Sequence, residues 1–524
     1  MPVQTTYPGV YVEEIPSGVR TITGVATSIT AFIGRALKGP VNDPVTIFNY
    51  GEYERIFGGL WADSTMSYAV KDFYVNGGSQ AIIIRIDNGA DTASADLTTT
   101  TSPPGTIELR ANSPGEWGNS LLVKASETVD PTAPPASPPD LSYYNIEVFE
   151  VDADGNEVKL EEHVKVSLDA NDSRYLPRVL KEASAYIEIE ETSEGSGSWD
   201  PLAPLASSYD LTGGSHGSAL GAGQYEGSVS DMTGIYALKK TDLFNLLCIP
   251  PPERSGDTPD TVYQKALTLC VEERAVLIVD SPRSWGAQVN SAAANAKAGI
   301  QTMGLNGTSA RNAALFFPRI LQADPLHDNQ TDLFVPCGVL AGMISRTDTN
   351  RGVWKAPAGI DAALNGIRGL QVKLTDDQNG LLNPIGINCL RSFPIYGHVN
   401  WGARTLRGAN ELADEYKYLP VRRTALFIEE SLYRGLKWVV FEPNDEPLWG
   451  QIRLNVGAFM HGLFRQGAFQ GRKKEAYFVK CDSETTTQND INNGVVNIVV
   501  GFSPLKPAEF VVIRLQQIAG QIET

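Results

Sequence analysis

Positive charge is scarce in this 524-residue chain: 43 Lys and Arg stand against 61 Asp and Glu, a formal net charge of −18. A general nucleic-acid or anionic-membrane binder needs a basic surface, so the balance argues against both partners. Cysteine is scarce too. The five (Cys248, Cys270, Cys337, Cys389, Cys481) are odd in number, far apart and mostly flanked by apolar residues, which suits buried thiols rather than disulfides or metal ligands. The five histidines (His163, His216, His327, His398, His461) never fall at a metal-ligand spacing with one another or with cysteine. No Gly-Lys pair occurs, which removes a P-loop. The longest apolar runs, such as Ala81 to Ile84, are far short of the roughly 20 residues that span a bilayer. The first residues, Met1 to Thr6, carry neither a basic nor an apolar stretch, so synthesis and folding in the cytosol are expected.

Three further resemblances to enzymes fail. Gly213-Gly214-Ser215-His216-Gly217 fits the G-x-S-x-G elbow, whose chemistry needs a buried strand before the serine and a helix after it. Here Ser207-Ser208-Tyr209-Asp210 precedes and a Gly/Ala-rich loop follows, so the motif reads as a junction. Gly221-Ala222-Gly223-Gln224-Tyr225-Glu226-Gly227 has the wrong spacing for a dinucleotide fingerprint. Adjacent acids such as Glu161-Glu162 and Glu429-Glu430 point different ways on a strand or helix and cannot act as acid/base dyads. The expectation is a protein that is not an enzyme and uses no cofactor and no metal.

What the chain does have is length, rhythm and uneven charge. With 42% hydrophobic and 20% charged residues it folds, and its length asks for several domains. Tyr7-Pro8-Gly9-Val10-Tyr11-Val12-Glu13-Glu14-Ile15-Pro16 reads as an extended arm, strand-like but too short to fold alone. Short apolar strands at Ser28 to Gly34 and Ala81 to Ile86 flank a helix near Ser64 to Tyr74. The rhythm resumes with strands at Leu243 to Ile249, Ala275 to Asp280 and Ala313 to Phe317, separated by helices near Thr261 to Glu273 and Gln288 to Ala298. Strands alternating with helices predict a largely parallel sheet. Between these halves, alternation at Tyr143 to Val151, Glu157 to Val166 and Tyr186 to Glu190, with Pro-rich loops, marks an inserted strand-rich block. That block is acidic: Glu127 to Asp200 holds 18 acids and five bases.

After about Asn400 the pattern becomes helices at Arg423 to Lys437 and Glu446 to Phe464, then strands at Ala476 to Lys480, Gly494 to Phe502 and Glu509 to Leu515. The second helix carries an apolar stripe of Ile452, Val456, Phe459 and Leu463. Beside and beyond it lie Arg453, Arg465, Arg472, Lys473 and Lys474 with no acid from Gln451 to Lys474, a cationic patch suited to an acidic protein partner or a polyanion, or else a solvated face. Strand-forming segments stand at both chain ends: Tyr7, Val10, Tyr11, Val12 and Glu13 at one, Phe510, Val511, Val512, Ile513, Arg514 and Leu515 at the other.

The ordered set of motifs resembles contractile tail sheath proteins of phage tails and related injection particles. It comprises the opening Tyr7 to Glu14, Thr30-Ala31-Phe32-Ile33-Gly34, Phe73 to Gly78, Leu211-Thr212-Gly213-Gly214, Val279-Asp280-Ser281-Pro282, Pro336-Cys337-Gly338-Val339-Leu340-Ala341-Gly342, Trp354 to Gly359, Trp401-Gly402-Ala403-Arg404-Thr405-Leu406, Tyr418 to Arg423, Trp438 to Asn444 and Gly457 to Phe469. The similarity covers all but about residues 95 to 210. It implies a multidomain α/β and α+β fold: a 1–20 linking arm, a β-α-β sandwich-like middle domain (21–94 and 213–395), a β-rich inserted outer domain (95–212), a tube-proximal α+β C-terminal domain (396–505) and a 506–524 linking strand. It also implies a sheath subunit that polymerises as stacked hexameric rings around an inner tube and contracts to drive it through an envelope. Its partners would be further copies of itself, the tube protein, and baseplate and terminator proteins, with no direct nucleic-acid or membrane contact. Such a particle is assembled in the cytoplasm as part of a virion tail or injection device. A baseplate or capsid-like component is the alternative. The cationic patch would face the tube, and the terminal segments would add strands to neighbouring copies.

Overall fold

The computed structural model describes residues 20–98, 106–128, 140–169, 171–189 and 208–514. Its centre is an eight-stranded sheet in the order Gly397–Asn400, Ile387–Phe393, Ala313–Phe317, Val276–Asp280, Leu246–Cys248, Thr30–Gly34, Ala81–Arg85, Val45–Ile47. Every pairing is parallel except those of the two edge strands. Buried on both faces, the inner strands are mostly apolar, and successive side chains go to opposite sides. Ala31, Ile33, Leu277, Val279, Leu315 and Phe317 enter one core with the helices Asp260–Glu272 and Ala292–Thr302. Phe32, Ile83, Val276, Ile278, Ala314 and Phe316 enter the other with Thr65–Val75 and Cys337–Arg351. The Ala-rich helix begins four residues later than its sequence span suggests.

The two helices of the second face touch through glycine. A Cβ on Gly338 would lie 2.0 Å from the Ala69 carbonyl oxygen, and one on Gly342 would lie 2.3 Å from that of Phe73. The Gly338/Gly342 spacing is therefore a contact requirement, since any side chain would force the helices apart. All five cysteines are free and buried.

Between Ala81–Arg85 and Leu246–Cys248 the chain departs into a β-rich insert. A four-stranded antiparallel sheet (Ser208–Asp210, Leu121–Thr128, Asp140–Val151, Glu157–Val166) and a three-stranded one (Ser94–Thr98, Thr106–Ala111, Ile187–Ile189) share a core that includes Leu97, Leu109, Val123, Ile146, Val148 and Leu180. At its root the buried Arg85 guanidinium donates to the carbonyls of Gly39 and Pro114, each at 2.6 Å. Burial lowers the Arg85 pKa to about 10. The Gly213 to Gly217 motif lies in this junction. Contrary to the sequence reading, a strand does precede it, but Ser208–Asp210 is a three-residue edge strand, and the Ser215 hydroxyl is engaged by the Asp91 carboxylate at 3.0 Å.

The C-terminal unit packs the helices Leu419–Gly435 and Glu446–Arg465 against a two-stranded ribbon, Tyr477–Lys480 with Val499–Phe502. Asp445 caps the second helix by accepting from the Leu448 amide, and its stripe enters the core, with Ile452 and Val456 fully buried. The strand Gly397–Asn400 pairs with Ile387–Phe393 and thus completes the large sheet, although the sequence reading opened the C-terminal domain at 396.

The first of these helices is fastened to the α/β unit by ion pairs. Arg423 chelates Asp348 at 2.8 and 2.6 Å with both side chains almost wholly buried. Arg274 reaches Glu430 at 2.9 Å, and Arg434 joins Glu430 to Asp242. Buried bidentate pairs of this type fix geometry more than they add stability. Among the described residues no helix is long and apolar enough to cross a membrane.

Two buried carboxyls form no ion pair among the described residues. Burial pushes Asp280, at the end of its central strand, up to about 7, and Asp72, which accepts from Gln322 at 2.8 Å, likewise to about 7. Between the ordinary carboxylate range and pH 7 the folded chain holds protons that the unfolded chain has released. The stabilisation is therefore complete at the acid end of that window and is lost as pH rises through it. Asp280→Asn should flatten the fall of stability between pH 5 and 7.5 and gain about 1–4 kcal/mol at pH 8. Urea melts across that range measure it; an unchanged slope would contradict the assignment.

Candidate assembly interface

The chain-end segments meet the C-terminal unit from two sides. On the N-terminal side, the Arg20 amide donates to Asn455 Oδ1 at 3.0 Å, the Arg20 guanidinium lies 4.6 Å over the Trp438 ring, and Ile22 is buried in the helix core. Further on, the Thr27 hydroxyl donates to Asp348 and its carbonyl accepts from Arg423, so the Arg423–Asp348 pair also fixes the root of this segment. Tyr7, Val10, Tyr11, Val12 and Glu13 lie outside the described residues, as does Leu515.

On the C-terminal side the root is Glu509. Arg404, wholly buried, donates to its carboxylate through Nε at 2.8 Å and Nη2 at 2.5 Å, and the Tyr418 hydroxyl adds a third bond at 3.2 Å. Burial raises the Glu509 carboxyl, but the Arg404 pair overcomes it and holds the group below the usual carboxylate range. Arg404 also donates to the carbonyls of Asn383 and Gly408, a set that only a five-donor guanidinium satisfies. Arg404 and Tyr418 stand in two of the motifs noted above, yet nothing in those motifs alone pointed to Glu509 as their common partner.

Beyond that root the expected strand is absent. Phe510, Val511, Val512 and Ile513 are exposed by 74 to 83% and no strand includes them or Arg514. Among the described residues no backbone hydrogen bond is made from 505 to 514. The physical reason is that a strand is a paired state, and the described residues bring no partner to the segment. The nearby ribbon has the complementary lack: among the described residues Tyr477–Lys480 and Val499–Phe502 pair only with each other, leaving an open edge on either side. Phe478 and Val499 are exposed on it.

The cationic residues divide. Arg453 is spent within the chain, donating to Glu446 at 2.6 Å and to the Cys481 carbonyl. Arg465, Arg472, Lys473 and Lys474 are exposed and form no ion pair among the described residues. Along the same helix Gln451, Leu454, Ala458 and Arg465 share an uncovered face. The face is only mildly charged until its C-terminal end.

The chain is similar to known proteins. Residues 412–518 match the family of the phage tail sheath C-terminal domain. No curated protein sequence matches the chain. Among solved structures, the PVC sheath complex of an extracellular contractile injection system, in its contracted state, is 20% identical with a TM-score of 0.58, covering 98% of each chain. The contracted helical sheath of the anti-feeding prophage is 22% identical (TM-score 0.55; 98% of this chain, 100% of that one). The sheath tail protein of Listeria innocua is 13% identical (TM-score 0.61; 93% and 96%). The chain therefore has the fold of contractile sheath proteins. More particularly, its 412–518 region is similar to the phage tail sheath C-terminal domain family, and both that family and the structural neighbours are structural proteins rather than enzymes.

Proposed function

We propose that this chain is a sheath subunit that polymerises as stacked six-membered rings around an inner tube and shortens to drive that tube through a target envelope. The observation that carries the reading is the pairing of lacks in the C-terminal unit. A ribbon with two open edges stands beside an apolar, unpaired segment that cannot satisfy itself. Strand addition between copies answers both at once. Each backbone hydrogen bond so formed contributes about 0.5–1.5 kcal/mol net, and each large apolar side chain buried adds about 1.5–3 kcal/mol. The N-terminal arm, led out at Arg20 from the same unit, would serve the other edge. The rigid fastening of the C-terminal helix to the α/β sheet leaves these chain-end links as the places where a polymer could rearrange.

The exposed group of Arg465, Arg472, Lys473 and Lys474 would meet an acidic inner tube through contacts weak enough to break on contraction; Arg453, held by Glu446, contributes less than its place in the sequence suggests. The acidic insert would face outward, where like charge keeps particles apart. Baseplate and terminator proteins would close the ends. Negative-stain microscopy of the purified chain tests the central claim: hollow cylinders of stacked rings are expected, and single closed rings or shells would favour the baseplate or capsid-like alternative. Arg465→Glu/Arg472→Glu/Lys474→Glu should assemble on tubes at least about tenfold less well with an unchanged melting temperature; equal tube decoration would remove the patch from this role.

A further inference from the structure

Where the β-rich insert rejoins the α/β unit, the glycine-rich stretch Gly213 to Gly217 wedges a histidine between the two. The His216 ring lies 4.5 Å from the Trp61 ring of the α/β unit. From the insert, a Cβ on Gly115 would lie 3.4 Å from His216 Nδ1, so the insert backbone presses on the other part of the ring. Only 15% of the side chain is exposed, and the buried Nδ1 has no hydrogen-bond partner among the described residues. Neighbouring bonds close the same joint: the Arg35 guanidinium donates to the His216 carbonyl at 3.0 Å, and the Gly39 amide donates to the Ser113 hydroxyl at 3.0 Å.

The joint is rich in cations before any histidine is charged. The α/β unit brings Arg35, whose guanidinium lies 4.9 Å over Trp61, and Arg85, bonded to the carbonyls of Gly39 and Pro114. It also brings Lys38, 5.5 Å over Trp117 and 5.3 Å over Tyr186 of the insert. The acids that face His216 are both exposed: Glu116 of the insert, 4.0 Å from Nε2, and Asp63 of the α/β unit. A neutral imidazole donates from one nitrogen, whereas the imidazolium donates from both. Protonation would therefore leave a charged N–H at buried Nδ1 with no acceptor and set a further cation against Arg35 and Arg85. Burial, opposed by Glu116 and aided by Arg35 and Arg85, lowers the His216 pKa.

We propose that His216 is a proton-sensitive latch, which holds the insert on the α/β unit at neutral pH and frees it in mildly acidic solution. The released ring takes up its proton at the ordinary histidine value of about 6.5, the latched ring only below it. The joint is thus whole above that value and weakens as pH falls from it toward the lowered one. The α/β core moves the other way, because buried Asp280 and Asp72 stabilise it on acidification.

Hydrogen exchange of the full chain at pH 7.5, 6.5 and 5.5, corrected for the intrinsic rate at each pH, tests the latch. Between pH 7.5 and 5.5 the Gly39 amide and the segments 113–119 and 213–218 should lose protection severalfold, while the helix Cys337–Arg351 keeps or gains it. In His216→Gln, which has no proton to take up, the joint should show no such fall. In Glu116→Gln, which lacks the nearer acid, the fall should be steeper than in wild type. Each slope is read within one variant, so looser packing around glutamine shifts only its level. Joint protection that stays constant or rises on acidification in wild type, falls as steeply in His216→Gln, or falls no more steeply in Glu116→Gln overturns the proposal.

Discussion

Truncation after Glu509 is expected to abolish cylinder formation while leaving thermal unfolding of the monomer unchanged. The two halves of this result have separate causes. In the single chain Phe510 to Ile513 are mostly exposed and make no backbone hydrogen bonds, so removing residues 510–524 takes away nothing described that the monomer uses. In a polymer the same segment would bury four apolar side chains and pair its backbone. Even a net loss of about 5 kcal/mol per joint, well below the gross sum, lowers each association constant by more than about a thousandfold. Because a subunit is held by several joints, the deficit compounds along the lattice. Sedimentation and microscopy give the first half of the outcome and calorimetry the second. Cylinders that persist would refute strand addition by this segment; a lowered melting temperature would mean that the segment is docked on its own subunit.

Glu509→Ala is expected to act in the opposite way, on the monomer first. It strips the carboxylate from a guanidinium that is 0% exposed, and removing one member of a buried pair typically costs about 3–5 kcal/mol. The carbonyls of Asn383 and Gly408 still accept from Arg404, which places the expectation at the lower end of that range. Urea denaturation should read it, and Arg404→Met/Glu509→Ala should recover part of the loss because no unpaired charge remains. The pH dependence has a definite sign. A carboxyl held below its usual range contributes stability that is present above that range and is lost as pH falls through its lowered value, so wild type should lose more than Glu509→Ala on acidification below pH 4. Equal urea midpoints for the two proteins at pH 7 would show that the pair holds nothing in place.

Much of this was legible in the sequence, and for identifiable reasons. The runs at Thr30–Gly34, Val276–Asp280 and Ala313–Phe317 are almost wholly apolar because both faces of a central parallel strand are covered, and the helical spacing of Ile452, Val456, Phe459 and Leu463 marked the helix found at Glu446–Arg465. The family resemblance rested on motifs whose causes are now visible: Gly338 and Gly342 are contact positions, and Arg404 is the buried hub at which two distant segments meet. What periodicity does not carry is pairing. Glu509 to Leu515 has strand composition, but whether a strand forms depends on a neighbour, and composition is silent about which chain supplies it. The same limit applied to charge. Arg453 and Arg465 look alike in sequence, and the Glu446 side chain, two turns back on the same helical face, distinguishes a spent cation from a free one.

The clasp between Arg423 and Asp348 has one more consequence. It closes over the backbone of Thr27, so a pull on the N-terminal segment bears at once on the last helical unit and on the central sheet. Tension arriving through that tether would be shared by the whole body instead of peeling off one layer. A lattice of such bodies would behave as stiff beads on short cords, in which the elastic strain sits in the cords and the beads turn without deforming.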